Sequence, residues 1–411
     1  MNLKVILILL LSLIAIQSQA QSRYNVIYEQ QLSQNFAAEN FNAGLHLINY
    51  LDTLVIPKKI IKKDNVLAKV INPLYRLSKL FFFNYLVTDF ALTMNHERYG
   101  HGYRILDADG EIVEIEYNLP PPFTDNEFSW ITVNYNTNHS TQQTLGFLAG
   151  GSEANLVLSD VLRKNILLDE RFSYTYALPY LYANNDAPGY TAFVSNPNAD
   201  PIRYRNMIND FYGGERLTEK KMKTYSFIAL LTDPMNFYAL KATFFDYLIK
   251  GNHSSKVGMI TFSKRIKYLP RFRFEYTPYG PELVIQNYLK LDSKLFQFSC
   301  AHSDGTFDPS WRITAEAWNI HATDKLSFNF KTQFWNQPEI DFFKNDKPIT
   351  SVGFGTQIIV VTNYDFITKK HILGATIHLG YKTKGYSLGE QLDEGLIVRG
   401  GLTFRLGNKS Q

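Results

Sequence analysis

Two imidazoles and a carboxylate fall within six residues at His96-Glu97-Arg98-Tyr99-Gly100-His101. Zinc hydrolases need that set: two neutral imidazoles to hold the ion, and a carboxylate to take a proton from the water it activates. The usual spacing, His-Glu-x-x-His, sets the rings one helical turn apart. Here the second histidine comes one residue later, which on a regular helix turns it about 140° from the first. Both rings reach one ion only if the turn is widened, as in a single π-helical turn, a distortion that gathers at functional sites. Gly100 would ease it. On this reading His96 and His101 are metal ligands, Zn2+ is the cofactor and Glu97 is the catalytic base. The competing reading is two histidines satisfied by hydrogen bonds near a helix end.

The motif closes a long helical pattern. Leu67, Val70, Ile71, Leu74, Leu77 and Leu80 recur at three- and four-residue steps, with Pro73 as a kink or restart. Leu80 to Leu92 is apolar nearly all round, which predicts a helix buried in a domain core. Glu111 to Tyr117 alternates and predicts a short strand ended by Pro120-Pro121-Pro122, either a hairpin arm or an edge for extended substrate. Thr141 to Asn165 is helical, punctuated by Gly150-Gly151. Tyr174 to Pro201, rich in Asn, Pro and Tyr, predicts a long loop, and 204–249 returns to helical spacing. His139 and the tyrosines of 174–190 could stabilise an oxyanion, but nothing in the sequence selects one.

His96 to His101 resembles the His-Glu-Leu-Leu-Gly-His motif of the dipeptidyl peptidase III family of zinc peptidases. The resemblance implies that both histidines bind zinc, that Glu97 is the general base, and that a Glu on a later helix is the third ligand. Glu153, in Ala149-Gly-Gly-Ser-Glu-Ala-Asn155, sits at a matching distance. Asp160 lies seven residues further on the same helical face, where it could orient a ligand histidine. The family has an acidic pair where Ser152 precedes Glu153 here, and the similarity is confined to these positions.

From about Met259 the period changes to two. Phe272, Phe274 and Tyr276 alternate with Arg271, Arg273 and Glu275; Leu373, Ala375, Ile377 and Leu379 alternate with Gly374, Thr376 and His378. Runs of roughly 9–12 residues, the length of a tilted membrane-crossing strand, make about eight strands. The segment Gly380 to Leu406 looks like the last hairpin of small bacterial outer-membrane barrels, a likeness of pattern only. A soluble β-domain would alternate in the same way with its apolar face inward.

The remaining composition narrows the setting. Met1 to Ala20 carries Lys4, an apolar run from Val5 to Ile16 and Ser18-Gln19-Ala20, the plan of an export signal, with a retained anchor as the alternative. The chain of 411 residues has 42 Lys+Arg against 38 Asp+Glu, too balanced to argue for nucleic acid. Cys300 stands alone, so neither a disulfide nor a cysteine zinc site is available. The fold expected is α+β: a signal at 1–20, an α-rich metallohydrolase-like domain over 21–255, and an antiparallel β-barrel of about eight strands over 256–411. The function expected is an exported zinc-dependent hydrolase of the outer membrane, with membrane lipid and a peptide or protein as partners. An envelope lipid or glycan is the other substrate class. A non-enzymatic outer-membrane barrel with a helical periplasmic binding module is the alternative.

Overall fold

The computed structural model describes residues 22–57, 59–62, 65–123, 129–303, 310–351, 353–368 and 371–406. The expected signal at 1–20 lies outside the described residues. After strand β1 (Tyr24–Tyr28) and helix α1 (Gln34–Val55), one helical run extends from Val66 to Asp107. It comprises α2 (Val66–Lys79), a π-helical turn (Leu80–Tyr85), α3 (Leu86–His96), a second π-helical turn (Glu97–His101) and α4 (Gly102–Asp107). Asn65 starts the run by accepting the Ala68 N–H, which satisfies one of the free donors of the first turn.

The apolar stretch of this run is not buried as its composition predicts. Phe81, Phe82, Phe83 and Phe90 face outward, and the inward side carries Asn84, Thr88, Asp89 and Asn95. Polarity, not apolarity, marks the inner face here. The hairpin β2 (Glu111–Glu116) and β3 (Trp130–Asn134) follows, so the expected strand has an antiparallel partner.

Helix α5 (Thr141–Asp169) is buried along nearly its whole length. Ser140 and Gln143 form a reciprocal capping box at its start, and the helix passes unbroken through Gly150-Gly151. Strand β4 (Arg171–Ser173) leads into α6 (Tyr174–Phe193), a helix where the composition predicts a loop. Pro179 and Pro188 lie inside it, and Tyr174, Tyr180, Ala183 and Ala187 are buried around it. A helix buried along most of its surface shows little 3.6-residue period, so its prolines dominate the pattern. Helices α7 (Asp200–Tyr212), α8 (Glu219–Thr232) and α9 (Pro234–Leu240), with a π-helical segment at Lys241–Ile249, complete the helical half.

Beyond β5 (Ser254–Lys256) and β6 (Ile260–Thr261), long strands run as an antiparallel meander. They are β7 (Ile266–Thr277), β8 (Gly280–Leu291), β9 (Lys294–Ser303), β10 (Trp311–His321) and β11 (Leu326–Asn336). A small hairpin, β12 (Asp341–Lys344) and β13 (Lys347–Thr350), intervenes before β14 (Phe354–Ile367), β15 (Ile372–Lys382) and β16 (Gly395–Arg405). The main sheet has ten strands in the order β1-β16-β15-β14-β11-β10-β9-β8-β7-β6. Two points depart from the expected eight-stranded barrel. The tenth strand, β1, comes from before the helices and pairs with β16, Val26 opposite Leu402, so the sheet crosses the expected domain boundary. The sheet is also not closed by hydrogen bonds, because its edges β1 and β6 are only five and two residues long.

The alternation in the strands resolves into two opposite faces. Ile285 is 53% exposed while Gln286 beside it is 1% exposed. Phe298, Ile313, Ile358, Ile377, Leu379 and Leu402 are exposed; Gln297, Arg312, Gln357, His378 and Thr403 are buried. The polar face lies against α5 and is held by charge. Arg271 and Arg273 bond Asp160 of α5, Arg312 bonds Glu275 and Glu282, and Lys164 bonds Glu316 at 2.9 Å. Lys290 donates to the Leu167 and Leu168 carbonyls, at 3.0 and 2.6 Å, closing the C-terminal end of α5. Each buried charge on this list meets an opposite one or a carbonyl dipole, the condition for tolerating it away from water.

Candidate metal centre

The widened turn that the spacing requires is present: Glu97–His101 is π-helical. It brings His96 Nε2 and His101 Nε2 to 3.2 Å, and Asp200 Oδ2 to 3.3 Å from His101 Nε2. Among the described residues, His96, His101 and Asp200 form the one group of three that could share a metal ion, with ligand atoms within 4.8 Å of one another. Tetrahedral zinc with bonds near 2.0–2.1 Å sets its ligand atoms about 3.3 Å apart. The two observed separations match that edge.

The turn fits because three glycines let two helices touch. A Cβ on Gly100 would lie 2.5 Å from the Gly151 Cα, and one on Gly151 would lie 2.2 Å from His96 Nε2. Gly150-Gly151 is therefore a seat for the π-helical turn rather than a break in α5.

Both rings are oriented from behind. His96 Nδ1 meets Asp186 Oδ2 at 3.0 Å, and His101 Nδ1 meets the Phe147 carbonyl at 2.7 Å. Each acceptor fixes the proton on Nδ1 and leaves the lone pair on Nε2, the arrangement metal-binding histidines commonly show. Asp186 is itself held by Asn155 at 3.2 Å, and Asn155 by Asn95 at 2.9 Å. Two lone pairs thus face each other at 3.2 Å. Only a shared proton or cation makes that favourable.

The local field favours such a cation. Burial pushes His96 toward its neutral form, but the Asp186 carboxylate outweighs burial, aided by Glu97 and Asp200, and raises the pKa to about 9. His101 is raised likewise by Asp200 against its burial. Asp186 and Asp200 are lowered in turn, burial being overcome by the rings they face. Glu97 is buried beside the rings, has no bonded partner among the described residues, and borders a cavity of about 590 Å³. Asp186, Leu119, Leu181 and Tyr190 also line that cavity.

Glu153, the expected third ligand, is placed elsewhere. Its carboxylate is bonded by Arg104 through both oxygens, by Gln34 at 3.2 Å and by the Gly389 N–H at 2.8 Å. Arg104 also donates to the Glu390 carbonyl at 2.8 Å, so Glu153 ties α4 and α1 to the connection between β15 and β16. Asp160, expected behind a ligand ring, is committed to Arg271 and Arg273 on the sheet. Their places in the centre are taken by Asp200 and Asp186. His139 stacks on Tyr135 and bonds the Asn136 carbonyl, outside the cavity wall.

Neither added carboxylate follows from local spacing. Asp200-Pro201 does mark a helix start, since proline suits the first turn, but that signal carries no ligand meaning. Asp186 sits in the stretch that its prolines disguise as a loop. No protein-family model matches this chain, nor does any curated protein or solved structure.

Proposed function

We propose that the protein is a zinc-dependent hydrolase acting on peptides from an outer-membrane β-sheet. The observation that carries the chemistry is the approach of the two Nε2 atoms to 3.2 Å, with both Nδ1 atoms committed elsewhere. Two imidazoles and a carboxylate suit zinc, and His96, His101 and Asp200 would hold it. Bound zinc supplies Lewis acidity, polarising a carbonyl and making water nucleophilic at neutral pH. Glu97, open to the cavity, takes the proton of the attacking water and passes it to the leaving amine. Asp186 and the Phe147 carbonyl keep both rings in the ligating tautomer. Tyr190 lines the same cavity, and its hydroxyl would be the donor to the developing oxyanion.

The membrane part of the reading rests on the two-faced sheet. A soluble β-domain buries its apolar side, whereas here β8–β11 and β14–β16 bury arginine, glutamate and glutamine and expose phenylalanine, isoleucine and leucine. Those strands are the membrane-crossing segments. No helix of the described residues is long and apolar enough to cross.

Metal analysis of the purified full chain tests the centre. One zinc per chain is expected, lost in His96→Ala/His101→Ala; a folded wild type without metal after zinc loading defeats the reading. Glu97→Gln should keep the metal and lose peptide hydrolysis. Unchanged turnover in that variant would instead favour the non-enzymatic binding module.

A further inference from the structure

Among the described residues, the cavity beside the centre carries three carboxylates, Asp89, Glu97 and Asp186, and neither lysine nor arginine. Glu97 and Asp186 are occupied by the chemistry already described. Asp89 is not. It is 8% exposed, it borders the cavity, and it has no hydrogen bond or ion pair among the described residues. Apart from Glu97, the other buried carboxylates among the described residues meet an arginine, a lysine or an imidazole, as Asp160, Asp233 and Glu275 do.

Asp89 lies on the same helix as His96, seven residues earlier and on the same face. The rise of an α-helix places it about 10 Å from that ring along the axis. An extended peptide covers about 3.3 Å per residue, so the gap corresponds to roughly three residues of backbone or one long basic side chain. Leu92 and Thr93 line the wall between, and Leu181 and Tyr182 face them from α6. The cavity therefore carries Asp89 toward one end and Glu97 with Asp186 toward the other, with leucines, tyrosines and Thr93 between.

We propose that Asp89 is a cation-recognition residue that binds the ammonium or guanidinium of a basic peptide and sets its register against the hydrolytic centre. The ion pair would complete a carboxylate that the chain itself leaves unpaired, and a charge-assisted bond in a half-enclosed cavity is directional as well as strong. Burial lifts the Asp89 pKa to about 6, and the ionisable groups facing it, Tyr85 and Tyr182, bring no positive charge. The inference rests on the hydrolase reading for the meaning of the register, but not for the binding itself.

Two peptide comparisons on the full chain in detergent test it. Anisotropy of a fluorescent hexapeptide with one lysine is compared with its glutamine twin, each with a free or acetylated amino terminus. The wild type should bind the cationic form at least tenfold more tightly. Whichever position carries the discrimination identifies side chain or terminal amine as the source. Asp89→Asn should remove the preference, and Asp89→Glu should keep part of it. Equal binding by the wild type of all four peptides, or a preference that survives in Asp89→Asn, overturns the proposal. Turnover is measured on the same peptides. Lysine discrimination with no cleavage by the zinc-loaded chain would defeat the hydrolase reading and leave the Asp89 subsite standing. Cleavage without discrimination would do the reverse.

Discussion

Two polar interiors sit on opposite sides of α5, and they are built to different rules. Toward the sheet, Asp160, Arg271, Arg273, Arg312, Glu275 and Glu282 form a network in which every charge finds its opposite on the chain. Toward α3 and α7, His96, His101, Asp200, Asp186 and Glu97 leave an imbalance: carboxylates crowd two imidazoles whose free nitrogens face each other. In the first interior each of these charges is matched by another on the chain. In the second, three carboxylates converge on two imidazoles, a set that would take a cation. Burial and residue type do not separate the two; the balance of charge does.

Substitutions can break this contrast, and the largest effect belongs to the unbalanced side. Glu97→Gln should lower kcat on peptides by about 10²–10⁴ while zinc content stays at one per chain. A drop in both would show Glu97 to be holding the ion rather than the proton. Glu153→Gln should act the other way. It strands Arg104 without its buried partner and should cost about 3–5 kcal/mol in denaturant unfolding while zinc binding survives in the fraction that folds. Loss of zinc from folded Glu153→Gln would restore that residue as the third ligand.

Two further substitutions sharpen the geometry. Charge on the outward face of the sheet, as in Ile285→Arg, should cost about 2–4 kcal/mol in lipid if that face meets acyl chains, and far less if it faces water. Gly151→Ala drives a methyl into His96 Nε2 and should cost about 1–3 kcal/mol, with zinc affinity falling further than stability. The smallest change is Asp89→Asn. A carboxyl whose folded pKa is raised to about 6, above its unfolded value, loses stability as pH rises between roughly 4 and 6. The variant should therefore gain on the order of 1 kcal/mol at pH 8 and nothing at pH 4, read as a shift in Tm.

The sequence carried the local part of this centre and little of the rest. The five-residue step from His96 to His101 demanded a wider turn, and the structure has it, with Gly100 at the contact. The period-two strands were equally legible, because alternation is a property of consecutive residues. Asp200 was not, since a carboxylate about a hundred positions away leaves no mark on the motif it faces. Glu153 was misplaced for an instructive reason. Spacing along a helix gave it the right element and nearly the right face, but Arg104, one turn past His101, competes for the same carboxylate. Helix α6 was lost to its two prolines, and with it Asp186. Strand β1 could not be paired from sequence, as its partner lies at the far end of the chain.

The tether between Glu153 and the β15–β16 connection bears on how the helical half depends on the sheet. Gly389 lies 236 residues beyond Glu153, yet its N–H bonds that carboxylate, and the Glu390 carbonyl takes the Arg104 guanidinium beside it. Arg399 draws Glu390 back to Glu29 at the opposite terminus. Any loss of the β15–β16 connection therefore removes the brace behind the π-helical turn at Glu97–His101, even though the two lie on different halves of the fold.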